Sequence, residues 1–137
     1  MEKMFSVSEV NQMIPRLERD IGRMQQLLRE ARQANRDKEL ARAVGYNAEG
    51  QLIMAVDYQE AEKALRRIVR ELNDLIEGIH REGGQIKDIE RGLVDFPAIV
   101  NGKKVLLCWQ KGETEVAYYH DERSGYAGRQ PLYPEET

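Results

Sequence analysis

Four charged residues lie close together in the last third of the chain, at the junction between a predicted helical hairpin and a predicted sheet: Asp88, Glu90, Arg91 and Asp95. Neighbouring carboxylates can bind a hard cation, or can separate their pKa values so that one works as an acid and the other as a base. The simpler interpretation is that Arg91 pairs with one acid while the others cap a turn. We favour it because structural ion pairs are commoner than sites.

An imidazole and a carboxylate are adjacent at His120 and Asp121. Such a pair suits a zinc ligand or a general base, because a carboxylate can orient an imidazole. Adjacent residues of a strand point to opposite faces, however, so Asp121 is expected to point away from His120. His80 is the only other histidine, and it falls at the end of a predicted helix. A structural or surface role for His120 is therefore preferred over a multi-histidine metal site.

Cys108 is the only cysteine. One cysteine excludes an intramolecular disulfide and a cysteine zinc cluster, and it agrees with a reducing cytoplasm as the location. Cys108 would be a nucleophile if His120 activated it. The strand register described below places the two on opposite faces, so the sequence predicts that Cys108 is a small buried hydrophobe.

Aromatic rings and a basic side chain also gather in the C-terminal region, a combination that can stack nucleotides: Trp109, Tyr118, Tyr119, Tyr126 and Arg129. Core packing accounts for Trp109 and Tyr118 without a ligand. With 21 basic and 24 acidic residues the net charge is -3, which provides no basic footprint for phosphates. Nucleic acid is therefore a disfavoured partner.

The phosphate-loop, dinucleotide, zinc-protease and serine-hydrolase motifs are all absent from the sequence. The sequence thus leaves open whether the protein is an enzyme, and it identifies no catalytic residue, metal, cofactor or small-molecule ligand. What remains is one candidate polar site, which comprises Asp88, Glu90, Arg91, Asp95, His120, Asp121 and Arg129.

Two long amphipathic helices are predicted to precede this region. Ser6 caps the first helix, Glu9 completes its capping box, and Phe5 packs onto Val10. The second helix is predicted to be capped at Asp57, with Val56 and Ala61 as its staple, and to end at Gly83-Gly84. The first apolar stripe runs through Val10, Ile14, Leu17, Ile21, Met24, Leu28 and Ala31, and the second through Ala61, Leu65, Ile68, Leu72, Leu75 and Ile79.

These stripes alternate spacings of four and three residues, as in coiled coils, so residues 1–82 are predicted to form an antiparallel helical hairpin. After Gly84 the period becomes strand-like, and residues 83–137 are predicted to form a three-stranded antiparallel β-meander, packed on the hairpin, with a C-terminal tail. The fold class is thus α+β. At 137 residues the chain matches the commonest size of a single domain, here 1–137.

The dipeptide Asn101-Gly102 between two apolar runs predicts a two-residue hairpin turn that sets Asp95 opposite Cys108. The next connection, residues 111–114, is expected to set Val105 opposite His120. Pro97 cannot donate to a ladder, so its strand is predicted to be outermost in the sheet.

No stretch approaches membrane-spanning length, and the first residues do not resemble a signal peptide, so no membrane partner is expected. The chain resembles a bacterial family known as domain of unknown function 2203. The resemblance covers nearly the whole chain and is carried by residues 87–97 (KDIERGLVDFP), 105–109 (VLLCW), 119–121 (YHD) and 128–132 (GRQPL). It implies no activity, substrate or cofactor, because none is established for that family.

Two functional hypotheses follow from these patterns. The leading one is a non-enzymatic interaction or scaffold module that acts as a homo-oligomer, most simply a dimer, because the apolar stripes are long and no catalytic constellation is present. The alternative is a small enzyme or a metal- or anion-binding protein with its site in the C-terminal β part. The concentration of polar residues there, beyond what a small sheet needs in order to fold, supports this alternative.

Overall fold

A computed structural model describes residues 2–133 of the chain. The fold is α+β: two long helices in a hairpin-like arrangement are followed by an antiparallel sheet of five strands in the order β1-β2-β3-β4-β5. The elements are α1 (Val7–Ala43), α2 (Ala55–Arg81), β1 (Gln85–Asp88), β2 (Leu93–Val100), β3 (Lys103–Gln110), β4 (Tyr118–His120), a short 3-10 helix (Gly125–Gly128) and β5 (Gln130–Pro131).

The prediction of a three-stranded meander was therefore wrong in the number of strands. The two additional strands lie at the edges of the sheet and are only four and two residues long. Neither carries an alternation of apolar and polar residues that a sequence pattern detects, since β1 has one apolar residue, Ile86, and β5 is a Gln-Pro dipeptide.

The start of α1 follows the sequence prediction. The Ser6 amide donates to Glu9 Oε1 at 3.0 Å, and the Glu9 amide donates to Ser6 Oγ at 3.1 Å, which confirms the capping box. The preceding residue, Phe5, is buried, and its ring packs edge-on against Phe96 of β2 with the ring centroids 5.1 Å apart.

The second helix begins earlier than predicted, because the Met54 carbonyl already accepts a hydrogen bond from the Tyr58 amide at 3.0 Å. Asp57 therefore lies in the first turn of α2, and Val56 is exposed rather than part of a staple. The predicted end of the helix is confirmed. Gly83 adopts a φ of 104°, and the Gly84 amide donates to the carbonyl of Ile79 at 3.1 Å.

Two compact units make up the chain. The first joins residues 2–22 to residues 76–133 and contains the whole sheet; its largest fully buried side chains include Leu17, Ile21, Ile79, Phe96, Leu107 and Trp109. The second, Arg23–Leu75, consists of the remaining lengths of both helices and the connection between them. The unfolding of the two units as one cooperative domain stays a prediction.

The hairpin of β2 and β3 has the predicted turn and register. Asn101 and Gly102 have φ values of 52° and 76°, the positive pair that a tight two-residue turn requires. Asp95 lies opposite Cys108, and Phe96 lies opposite Leu107. The predicted pairing of these strands is thereby confirmed.

The strand that contains Pro97 is not outermost, because β2 lies between β1 and β3. The prediction failed because β1 is short: its pairing with β2 extends only as far as Asp95. Beyond that point the Pro97 carbonyl accepts a hydrogen bond from the Phe5 amide at 2.7 Å. Proline is therefore tolerated inside the sheet where the neighbouring strand has already ended.

The register of β3 and β4 differs from the prediction by one residue, since His120 lies opposite Leu106 rather than Val105. The connection is longer than a tight turn: the Gln110 amide donates to Glu113 Oε1, and the Val116 amide donates to Asn11 Oδ1 of α1, each at 2.7 Å. A shift of one residue turns every side chain of a strand to the other face, so His120 shares a face with Cys108. None of the described helices has the length and apolar character needed to cross a membrane.

Candidate functional site

Three buried side chains with different donor atoms meet on one face of the sheet: Asp95 of β2, Cys108 of β3 and His120 of β4. Asp95 and Cys108 are each 1% exposed, and His120 is 2% exposed. One oxygen, one sulfur and one nitrogen atom from these residues all lie within 4.8 Å of one another. The prediction that Cys108 and His120 lie on opposite faces was therefore wrong, because it rested on the incorrect β3–β4 register.

Both ring nitrogens of His120 face hydrogen-bond acceptors. Nδ1 lies 2.6 Å from the Asp121 carbonyl oxygen, and Nε2 lies 2.9 Å from Asp95 Oδ2. A carbonyl oxygen only accepts hydrogen bonds, so Nδ1 must carry a hydrogen. In a neutral imidazole, Nε2 would then carry only a lone pair. A lone pair cannot bond to a carboxylate oxygen. A proton must therefore lie between Nε2 and Oδ2, carried by the imidazole or by the carboxyl group.

The second carboxylate oxygen of Asp95, Oδ1, is buried and has no hydrogen-bond partner among the described residues. Nearly all buried polar atoms in proteins are hydrogen-bonded, and leaving one without a partner costs about 1–3 kcal/mol or more for a charged group. An oxygen of this kind at the centre of a donor cluster points to a ligand that it can bind.

Cys108 is buried, as the sequence predicted. Burial, with a smaller contribution from the nearby carboxylate of Asp95, raises the pKa of its thiol to about 11, although the Arg129 guanidinium acts in the opposite direction. The side chain is consequently a thiol at neutral pH. A thiol is a poor nucleophile, so the cluster does not resemble an activated cysteine–histidine pair.

The three residues of the cluster line a cavity of about 250 Å³. Its other lining residues carry charges of both signs and a few apolar groups: Lys87, Asp88, Leu93, Leu106, Glu122, Arg123, Gly125 and Tyr126. A space of this size accommodates water and a small ligand, and all three residues of the cluster contribute to its lining.

Arg129 contacts the cluster through the backbone carbonyl of Cys108. Its guanidinium donates to Glu113 Oε1 at 2.6 Å and to the Cys108 carbonyl at 3.1 Å. The same guanidinium lies over two rings, 4.1 Å from the centre of Tyr118 and 5.0 Å from that of Tyr126. Arg129 therefore bonds to the backbone of β3 at Cys108 and is in cation–π contact with both rings.

Comparison with protein families matches residues 3–132 to an uncharacterised conserved protein family, DUF2203. The chain belongs to this family. The resemblance seen in the sequence is thereby confirmed, and membership in DUF2203 assigns no role to any residue. No curated protein and no solved structure matches the chain.

Some of the polar residues predicted from the sequence of this DUF2203 protein come together around the cavity. Asp95 and His120 are hydrogen-bonded to each other and, with Asp88, line the cavity. Asp121 contributes through its backbone carbonyl, which fixes the His120 ring. Its side chain points elsewhere, as predicted, and accepts hydrogen bonds from the amides of residues 123 and 124 at 2.9 and 2.6 Å.

Other predicted site residues are not part of the cavity lining. Arg91 lies over the ring of Tyr126 at 4.3 Å, and its amide donates to Asp88 Oδ1 at 3.0 Å, so Asp88 caps that turn. Glu90, like Arg91, is exposed and lies outside the lining.

Sequence reasoning did not include Cys108 in the site. The pairing of Asp95 with Cys108 was available from the Asn-Gly turn, whereas no signal in residues 111–117 marked the register that adds His120 to the pair.

Proposed function

We propose that this DUF2203 protein is a homo-oligomeric interaction module, most simply a dimer, whose self-association uses the helical arm Arg23–Leu75. The observation that carries the proposal is a set of exposed apolar side chains on both helices of this arm. Leu40 is 69% exposed and Val69 is 49% exposed, and Val44 is exposed as well. Large exposed apolar surfaces of soluble proteins usually mark association sites.

Two helices can bury only the side chains that face each other, so the other apolar side chains of the arm stay uncovered within one chain. Two helices bury the seam between them, which here includes Met24, Leu27 and the small residues Ala34, Ala41 and Ala61. The outer part of the α2 stripe, Leu65, Ile68 and Leu72, is only partly buried. Each Å² of apolar surface left in water forgoes about 25 cal/mol, so a third layer over the arm would be stabilising.

A second copy of the same arm is the occupant that fits best. Two helical hairpins related by a two-fold axis complete a four-helix bundle, a closed arrangement in which each hairpin covers the stripe of the other. Small residues leave an open groove of about 620 Å³ along the arm, lined in part by Leu40, Val44 and Met54, which a partner helix can fill. Ion pairs such as Arg23–Glu71, with contacts of 2.5 and 2.8 Å, brace the two helices of the arm.

Light scattering coupled to size exclusion at micromolar concentration tests the proposal. The expected mass is twice the 15.8 kDa of one chain. The double variant Leu40→Glu, Val69→Glu is expected to elute as a folded monomer. Ile99→Glu is the matched control, because Ile99 is 55% exposed but lies on β2, outside the arm, so this variant should keep the wild-type mass. A wild-type mass of one chain throughout the range would contradict the proposal.

A second candidate function is a metal- or anion-binding protein, or a small enzyme, with its site in the C-terminal β part. The unpartnered Asp95 Oδ1 favours it, because a buried carboxylate oxygen without a partner is unusual in a purely structural network. A single buried cysteine kept as a thiol suits a reducing compartment, so the proposed location is the cytoplasm.

A further inference from the structure

We propose that Asp95, Cys108 and His120 bind one divalent transition-metal ion, with zinc the best match, and leave one coordination position open to the adjoining cavity. The inference deepens the second candidate function by naming its ligands and its metal class. It is independent of self-association through the arm, so either idea can fail alone.

The three donor atoms are close to the arrangement that a tetrahedral ion needs. Zinc bonds of about 2.0–2.3 Å separate the donor atoms of a tetrahedral site by roughly 3.3–3.8 Å. The oxygen, sulfur and nitrogen atoms here already lie within 4.8 Å of one another. Binding would require the Asp95 carboxylate to turn, because Nε2 and Oδ2 are only 2.9 Å apart, and the more distant donor atoms to approach by about 1 Å.

The hydrogen bonding of His120 prepares Nε2 as a ligand. Its Nδ1 donates to the Asp121 carbonyl at 2.6 Å, which fixes both the orientation of the ring and the tautomer with the lone pair on Nε2. Metal-binding histidines almost always have such a partner on the other ring nitrogen. Without a metal, the place between Nε2 and Asp95 Oδ2 requires a proton, and a metal ion supplies positive charge at the same place.

The unpartnered Asp95 Oδ1 is a second observation that points to a bound cation, independent of the histidine. With a metal in place, one carboxylate oxygen becomes a ligand, and the carboxylate charge is balanced by an ion rather than by one proton. The free-energy cost of leaving this oxygen without a hydrogen-bond partner is then explained by its role in binding a metal.

The charges of these three side chains are compatible with a divalent ion. Without metal, the net charge of the three side chains is zero if they are a carboxylate, a protonated imidazole and a thiol. It is also zero if they are a protonated carboxyl group, a neutral imidazole and a thiol. A divalent ion bound by the carboxylate, a thiolate and a neutral imidazole also sums to zero, after two protons have been released. Exchange of one divalent ion for two protons therefore leaves no net charge in a buried site.

The donor set selects the class of metal. Hard ions such as magnesium and calcium prefer oxygen ligands alone, whereas one sulfur, one nitrogen and one oxygen suit zinc and its neighbours in the first transition row. Three protein ligands with a fourth position open to solvent are typical of zinc sites that bind an exchangeable water or small ligand. The cavity of about 250 Å³ provides the room for that fourth ligand.

Titration of metal-stripped protein with Co²⁺ tests the proposal by absorption spectroscopy. The expected result is one equivalent bound, with the intense visible bands of a tetrahedral cobalt site and a near-ultraviolet band from sulfur-to-cobalt charge transfer. Because Cys108 is the only cysteine, the charge-transfer band reports on Cys108 without any variant. Addition of Zn²⁺ should abolish both signals by displacement. Absence of the charge-transfer band in the wild-type protein would overturn the proposal.

Variants then assign the other ligands. Cys108→Ser should eliminate the charge-transfer band, and His120→Gln and Asp95→Asn should each weaken binding by about 100-fold or more, beyond the 10–100-fold typical of residues that only support a ligand. His80→Gln is the matched control, because His80 is an exposed histidine at the end of α2. Equal weakening by His80→Gln would overturn the assignment. Unchanged oligomer mass in these variants would separate metal binding from self-association.

Discussion

The imidazole of His120 and the carboxylate of Asp95 form a buried pair across two strands that are not neighbours, with Nε2 2.9 Å from Oδ2. Cys108 lies on the strand between them and brings its sulfur to the same point. A pair of this kind is costly to break, because whichever partner remains is buried without compensation. The pair therefore gives the first prediction.

In metal-free protein, Asp95→Ala should lower the free energy of unfolding by about 3 kcal/mol, because it leaves the His120 ring buried without its partner. Asp95→Asn should lower it by only about 1–2 kcal/mol, because an amide N–H can donate to the lone pair of a neutral Nε2. Urea unfolding at neutral pH in the presence of a chelator measures both. Equal losses for the two variants would show that the pair does not determine the stability of this region.

The second prediction concerns alkaline pH. Burial raises the pKa of the Cys108 thiol from 9.0 to about 11, so the folded state keeps a proton that the unfolded state releases first. The resulting stability is fully present below about pH 9 and is lost as the pH rises through about 11, a change of about 2–3 kcal/mol.

Cys108→Ala has no thiol to titrate. The free energy of unfolding of the wild type, minus that of the variant, should therefore fall by about 2–3 kcal/mol from pH 8 to pH 11. Comparison with the variant cancels the titration of lysines and tyrosines. Parallel urea titrations with chelator at several pH values provide the measurement. A difference that stays constant over this range would mean that the Cys108 thiol titrates as if it were exposed.

The third prediction concerns Arg129, whose guanidinium bonds both Glu113 and the Cys108 carbonyl and lies over two tyrosine rings. Arg129→Ala should lower the free energy of unfolding by about 2–3 kcal/mol. Arg129→Lys should recover less than half of the loss, because a lysine keeps the charge but not the planar fork.

Arg91→Ala is the control for Arg129, because Arg91 also lies over Tyr126 but is exposed, and its loss should remain below about 1 kcal/mol. Thermal melts of all three variants make the comparison. Equal destabilisation by Arg91→Ala and Arg129→Ala would indicate that ring stacking alone, and not the bonds to Glu113 and Cys108, matters.

Local signals predicted much of this fold. The capping box of Ser6 and Glu9, the end of α2 at Gly83 and the Asn101-Gly102 turn each depend on the chemistry of a few adjacent residues, so they can be read from the sequence. The Asn-Gly turn also fixed the opposition of Asp95 and Cys108, because a two-residue turn determines the register of its strands.

The candidate site depended on contacts that no local signal contains. The connection before β4 includes a bond from the Gln110 amide to Glu113 and one from the Val116 amide to Asn11 of α1, a contact between residues far apart in sequence. The shift of one residue moved His120 to the face of Cys108. Sequence reasoning therefore found Asp95 and His120 separately, and the structure showed that they meet.

The most direct test of the metal site is anomalous X-ray scattering from crystals grown with Zn²⁺ and measured on both sides of the zinc absorption edge. The predicted result is a single strong peak about 2.0–2.3 Å from Asp95 Oδ, Cys108 Sγ and His120 Nε2. A zinc-loaded crystal with no peak at these three atoms, or with its peak at surface residues such as His80, would contradict the proposed site.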